Sequence, residues 1–281
     1  MIGRAGAQAG VVAAAIVATF ALAACSRDAS RTEAAGAAPR PTLASRPPSI
    51  EPGPSNAAAP IDAAPSQPSP PPVGPASSAY LGRKLASPMS FEGADWLERT
   101  DRETTERPEH VLDVIGFSET DVVADVGAGS GYFTVRIAKR VPRGRVIATD
   151  LQKEMLAMIT TKVAKLGLGN VETRLVTAED ARLPAGGVDV ALFVDVYHEL
   201  PRPALTLAQV KASLRAASGD AGRSGRLVLV EYRGEDPSVP IKPDHKMTLA
   251  QIRRELDASG FSVERVDESL PHQRIVIAVA R

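Results

Sequence analysis

The feature that most constrains this chain is a short apolar strand running straight into a glycine-rich turn. Val122-Val-Ala-Asp-Val126 is followed by Gly127-Ala-Gly129-Ser-Gly131 and then by Tyr132-Phe133-Thr134. Glycines at alternate positions let backbone approach a ligand without an intervening Cβ. A helix expected over 131–141 opens at the same place, and its first turn offers N–H groups that have no partner within the helix. Strand, glycine turn and helix in that order are the opening of an α/β fold. A dinucleotide turn of the form Gly-x-Gly-x-x-Gly would place its third glycine where Tyr132 stands. The spacing Gly127, Gly129, Gly131 therefore disfavours a nicotinamide-dependent reductase.

The remaining pattern extends this unit. Further strands are expected at 145–149, 171–176, 188–194 and Arg226–Tyr232, with helices at Lys153–Leu166, 203–216 and 248–259 between or after them. The run over 188–194 is almost continuously apolar, as a central strand covered on both faces should be. Strands at 262–267 and Gln273–Ala280 close the chain, and 102–115 reads as a helix preceding the sheet, with Trp96 just ahead of it. The expected fold is a Rossmann-like αβα sandwich with a seven-stranded, mostly parallel sheet. Trp96 and the acidic run 103–109 would form a lid or a packing helix.

Two further elements stand at the carboxyl ends of successive strands. Asp150 ends the second strand, 21 residues after Gly129, with Leu151 beside it. After the third strand comes Thr177-Ala-Glu-Asp-Ala-Arg-Leu-Pro184. The glycine loop, the acidic strand end and the acidic Leu-Pro segment together resemble the class I S-adenosylmethionine-dependent methyltransferases. The resemblance runs from Tyr80-Leu-Gly-Arg83 to the final strands and is nearest to bacterial secreted or lipoprotein-type members of undefined substrate; quinone-biosynthesis C-methyltransferases are similar in the core motifs.

That resemblance implies S-adenosylmethionine as the ligand. Asp125, Gly127, Gly129 and Gly131 would form its loop, and Asp150 would accept hydrogen bonds from the ribose hydroxyls. Leu151 would pack on the adenine ring, with Glu179 at the adenine amino group and Asp180 next to it. The resemblance identifies the donor and leaves the acceptor open. No Asn-Pro-Pro-Tyr segment follows the fourth strand, which argues against adenine-N6 and glutamine acceptors, and the lack of an added substrate domain favours a small molecule.

After the fourth strand the chain reads Asp195-Val-Tyr-His-Glu-Leu200, beside the expected position of the transferable methyl group. His198 could deprotonate an acceptor, since imidazole titrates near neutral pH, and Tyr197 could orient it; alternatively both residues only begin the next helix. By the same resemblance, Asp195 would contact the methionine amino group or hold the loop. His245 lies in a segment that could close over an acceptor or be a solvated loop, while His110 and His272 read as structural. The four histidines show no short ligand spacing, so no metal is expected.

The amino terminus reads as an address. Positions 11–24 form about 14 apolar residues, signal-peptide length and short of a bilayer span. They end at Leu22-Ala-Ala-Cys25, which resembles a lipobox and implies lipidation of the chain's single cysteine, Cys25. With Ser26 following, the implied site is the periplasmic side of the outer membrane; the alternative is a cytoplasmic protein. Between 26 and 79, 13 of 54 positions are proline and none is aromatic. Such a stretch buries too little apolar surface to fold and reads as a disordered tether. The organisation is thus a leader at 1–25, a linker at 26–79 and one domain at 80–281.

Lysine plus arginine balance aspartate plus glutamate at 33 each, so no basic excess points to nucleic acid. The expected partners are a small-molecule acceptor and a membrane. A non-catalytic ligand-binding lipoprotein retaining the fold is the other reading, because such a leader would carry the domain away from the compartment that makes the donor.

Overall fold

The computed structural model describes residues 78–217 and 223–281. The leader, Cys25 and the linker up to position 77 lie outside the described residues. A two-stranded hairpin, Ala79–Tyr80 against Arg83–Lys84, opens the described chain and takes in Ala79, the last position assigned to the linker.

Seven strands form the main sheet: β1 Val122–Val126, β2 Arg145–Asp150, β3 Val171–Leu175, β4 Val190–Val194, β5 Arg226–Tyr232, β6 Phe261–Asp267 and β7 Gln273–Ala280. Their order is β3-β2-β1-β4-β5-β7-β6. All neighbours pair in parallel except β7, which runs antiparallel between β5 and β6. The expected seven-stranded, mostly parallel sheet is therefore present. Five longer helices accompany it: α1 Pro108–Ile115, α2 Thr134–Arg140, α3 Lys153–Leu166, α4 Pro203–Ser213 and α5 Leu249–Ala258.

The continuous apolar strands follow from burial on both faces. In β4, Val190 and Leu192 join the cluster under α1 and α2, which includes Leu112 and Ile137. Ala191 and Phe193 join the opposite cluster with Leu207 of α4 and Leu256 of α5. In β5, Val228 and Val230 face the first cluster, Leu227 and Leu229 the second. Each such buried aliphatic or aromatic side chain contributes about 1.5–3 kcal/mol relative to exposure.

Departures from the expected boundaries have local causes. The helix expected over 102–115 is split into Arg102–Thr105 and Pro108–Ile115. Pro108 has no N–H to donate and disfavours helical backbone before it, and Arg107 adopts φ 50. The helix expected from Gly131 begins at Thr134, because Gly131 still belongs to the turn at φ 82. Before β4, Val188 makes only an isolated bridge to Leu214. Thr248 caps α5 through a capping box with Gln251 and is not its first helical residue. Among the described residues no helix is long and apolar enough to cross a membrane.

Sheet order sets the place of the site. β1 continues to β2 on one side while β4 pairs on its other side, so the carboxyl ends of β1 and β4 diverge into a crevice.

Candidate functional site

A cavity of about 650 Å³ occupies that crevice. Its floor is the glycine loop. Gly127 and Gly129 hold φ 69 and 54, and a Cβ on Gly127 would sit 2.5 Å from Val196 Cγ1, so neither glycine can carry a side chain at ordinary cost. Gly131 is outside the cavity lining; its missing Cβ makes room for Ile159 of α3, where a Cβ would stand 2.8 Å from Cγ1. Its role is to let α3 close on the loop.

Asp125 lines the cavity but is nearly wholly buried, its Oδ2 accepting from Thr134 Oγ1 at 2.6 Å. Burial pushes its carboxyl up to about 6, against the opposing pull of the Thr134 hydroxyl. At the end of β2, Asp150 Oδ2 accepts from the Gly129 N–H and Oδ1 from the Gln152 N–H, both at 2.9 Å. Burial raises its pKa and these backbone donors oppose the shift. Leu151, an exposed apolar side chain, lines the cavity beside it.

Glu179 and Asp180 correct the sequence reading. Neither lines the cavity. Glu179 accepts from Arg202 at 3.1 Å, and Asp180 accepts from its own neighbour Arg182 N–H at 2.8 Å. The turn holding them folds back on Thr177 and is tied to α4 through Gln209, which donates to the Glu179 carbonyl at 2.6 Å.

Beyond β4, Asp195 has φ 53 and takes both carboxylate hydrogen bonds from Gln273 Nε2, at 2.9 and 2.7 Å. It lines the cavity, and burial together with the charges of Glu106 and Glu231 raises its pKa well above the ordinary value. Tyr197 is a second correction. It is fully buried away from the cavity, its hydroxyl donating to Glu255 at 2.9 Å under the Arg83 guanidinium. It holds the turn in place and cannot orient an acceptor.

His198 does face the cavity. Its Nδ1 lies 2.6 Å from Glu231 Oε2 and its Nε2 lies 3.2 Å from His245 Nδ1. Burial is the largest single influence and pulls its pKa down, but the charge and hydrogen bond of wholly buried Glu231, joined by the charges of Asp195 and Glu199, together raise it to about 8. Glu199 approaches from the same turn, pushed up to about 7 by burial, and His245 is lowered by burial and by His198. His245, on the turn Pro243–His245, is thus drawn into the site. His110 instead meets Ser269 at 2.7 Å, and neither it nor His272 lines the cavity.

Two groups escaped the sequence reading. Glu231 had a visible signal, a lone carboxylate at the end of the apolar run Leu227-Val-Leu-Val230. Glu106 had none. It is buried among Arg99, Arg102 Nε at 2.7 Å and the Tyr232 hydroxyl at 3.0 Å, and this network walls the cavity. Arg99 also stacks on Trp96, 3.9 Å from the ring centroid, so Trp96 stays at the mouth while Glu103 and Glu109 pack on the arginines of α2. The acidic run thus packs on α2.

Residues 123–217 match the family model described as a methyltransferase domain. Over 90 residues the chain is 33% identical to nocamycin O-methyltransferase of Saccharothrix syringae; the match covers 31% of this chain and about a third, 32%, of that relative. Among solved structures, a SAM dependent methyltransferase from Aquifex aeolicus superimposes with TM-score 0.61 at 27% identity, covering 68% of this chain and 98% of that one. An O-methyltransferase family 2 protein from Planctomyces limnophilus, in complex with apigenin, shares the fold with TM-score 0.52 at 17% identity, covering 68% and 62%. These findings support a class I methyltransferase domain and imply S-adenosylmethionine as its cofactor. The residues fit such a group: side-chain-free backbone at Gly127 and Gly129, a carboxylate at Asp150 and an apolar platform at Leu151 surround one cavity.

Proposed function

We propose that this domain transfers a methyl group from S-adenosylmethionine to a small acceptor held at the His198 end of the cavity. The observation that carries the reading is the clasp of Asp150 on the Gly129 N–H, which fixes a carboxylate against the glycine loop that floors a ligand-sized cavity. S-adenosylmethionine, when bound, supplies a methyl carbon on a positively charged sulfur. The chain's contribution is orientation, which can account for several kcal/mol of an in-line displacement. Asp150 and Leu151 hold the nucleoside end, Asp195 holds the amino-acid end beside the loop, and Trp96 with Arg99 shields the mouth from water.

The cluster of His198, Glu199 and His245 takes the acceptor, with Glu231 fixing the His198 ring. Cys25 places the domain at a membrane surface, on the strength of the lipobox resemblance alone.

Calorimetric titration of the purified chain with S-adenosylmethionine and with its demethylated product tests the reading. Micromolar binding of both is expected. Asp150→Ala should weaken binding by about 1.5–3 kcal/mol, the value of a lost pair of charge-assisted hydrogen bonds. Asp150→Asn, which keeps a Gly129 acceptor, separates ligand contact from loop support. A folded chain that binds neither compound would hand the reading to a non-catalytic lipoprotein.

A further inference from the structure

Among the described residues, His198, Glu199 and His245 bring one ligand atom each to within 4.8 Å of one another. We infer that these three side chains form a binding site for a divalent transition-metal ion of the zinc class at the acceptor end of the cavity. Geometry carries the argument. His198 Nε2 to His245 Nδ1 is 3.2 Å, His245 Nδ1 to Glu199 Oε1 is 3.3 Å, and His198 Nε2 to Glu199 Oε1 is 3.9 Å. Ligands at about 2.0–2.2 Å around a tetrahedral ion lie roughly 3.3–3.6 Å apart, so the three edges already approximate one face of a coordination tetrahedron.

The supporting contacts are those a metal site needs. A ligating histidine donates its other ring nitrogen to a carboxylate, which fixes tautomer and orientation. Wholly buried Glu231 does this to His198 Nδ1 at 2.6 Å. Glu199 is steadied through its second oxygen, Oε2, by the Met89 N–H at 3.3 Å, leaving Oε1 turned toward both histidines. Two histidines and one glutamate make a three-ligand set with a position left open, the arrangement that binds and polarises an exogenous ligand. All three residues line the cavity, so the open position faces it.

The site selects its acceptor: one that presents a hydroxyl or thiol to the ion and is held there as the anion, its proton released to solvent. That assignment of the acceptor rests on the methyl-transfer reading, whereas the metal site stands without it. Sequence spacing hides the set because two ligands are adjacent in the turn after β4 and the third comes 47 positions later, from the turn before α5.

The test is metal titration of the full chain, made without a histidine tag and freed of metal by chelation. Zn2+ should bind with one-to-one stoichiometry by calorimetry, and Co2+ should give the intense visible bands of a four-coordinate ion. His245→Ala, at a partly exposed turn, should abolish the Co2+ bands while leaving circular dichroism unchanged. Glu231→Gln should lower Zn2+ affinity by about 10–100-fold. Binding of S-adenosylmethionine is measured on the same samples: its loss with metal uptake intact overturns the methyl-transfer reading alone. Failure of the chain to take up Zn2+ or Co2+, or uptake that ignores both His245→Ala and Glu199→Gln, overturns the metal site.

Discussion

At the scale of single residues, the site is built from polar groups held where solvent cannot reach them, and Asp125 shows the consequence most plainly. Its carboxyl is raised by burial to about 6, above the ordinary value of 3.8. The native state therefore holds this proton more tightly than the unfolded chain does. The resulting stabilisation is complete below about pH 4 and is lost as pH rises toward 6, an upper bound of about 3 kcal/mol. Asp125→Asn removes the ionisation and keeps an acceptor for Thr134. Melting temperatures followed from pH 5 to 8 should show the variant gaining on the wild type up to about pH 7 and holding level beyond. A difference independent of pH would mean that Asp125 titrates as an ordinary carboxylate. The same carboxyl lies at the base of the glycine loop, so that stability is given up where ligand-facing backbone has to be placed.

At the scale of elements, the turn carrying His198 is held from outside the sheet. Arg83 of the opening hairpin pairs with Glu255 of α5 at 2.8 Å and donates to the His198 carbonyl at 3.0 Å, while Tyr197 reaches the same glutamate. Both charges are buried, so removing one leaves the other without its counter-charge, at a cost of about 3–5 kcal/mol. Glu255→Ala should lower the denaturant midpoint accordingly with an unchanged slope; a loss under about 1 kcal/mol would show the pair to be dispensable. Element scale is also where the sequence was most readable. Lys153–Leu166 and Arg226–Tyr232 have the boundaries their periodicity and apolar run predict, because burial on a defined face decides both. Helix ends were less legible: the break before Pro108 and the late start at Thr134 depend on backbone φ values at Arg107 and Gly131 that no periodicity reports. Of the residues lining the cavity, Asp150, Asp195 and His198 were legible because each stands at or shortly after the end of a strand. Tyr197, Glu179 and Asp180 were misplaced because proximity in sequence says nothing of which way a turn faces. Glu106 needed the fold itself, and His245, legible only as part of a segment that could close over an acceptor, needed it to be set beside His198.

At the scale of the whole molecule, the chain joins a domain whose implied cofactor is made in the cytoplasm to an amino-terminal segment with the pattern of an export and lipidation signal. Both ends of that conflict rest on definite residues: Asp150 over the glycine loop at one, Leu22-Ala-Ala-Cys25 at the other. Lipidation of Cys25 would decide which wins, because acyl chains contribute about 0.8 kcal/mol for every buried methylene and the lipobox-like cysteine is the chain's one thiol. In cell fractions the wild-type chain should sediment with membranes and incorporate labelled fatty acid. Cys25→Ser should carry no label and should not be processed at position 25. A wild-type chain found unlabelled in the cytosolic fraction would return the domain to the compartment of its donor and leave the leader without an export role. Membrane attachment with S-adenosylmethionine binding intact would instead require that donor reach the cavity from outside the cytoplasm, and would make the supply of donor the factor limiting turnover.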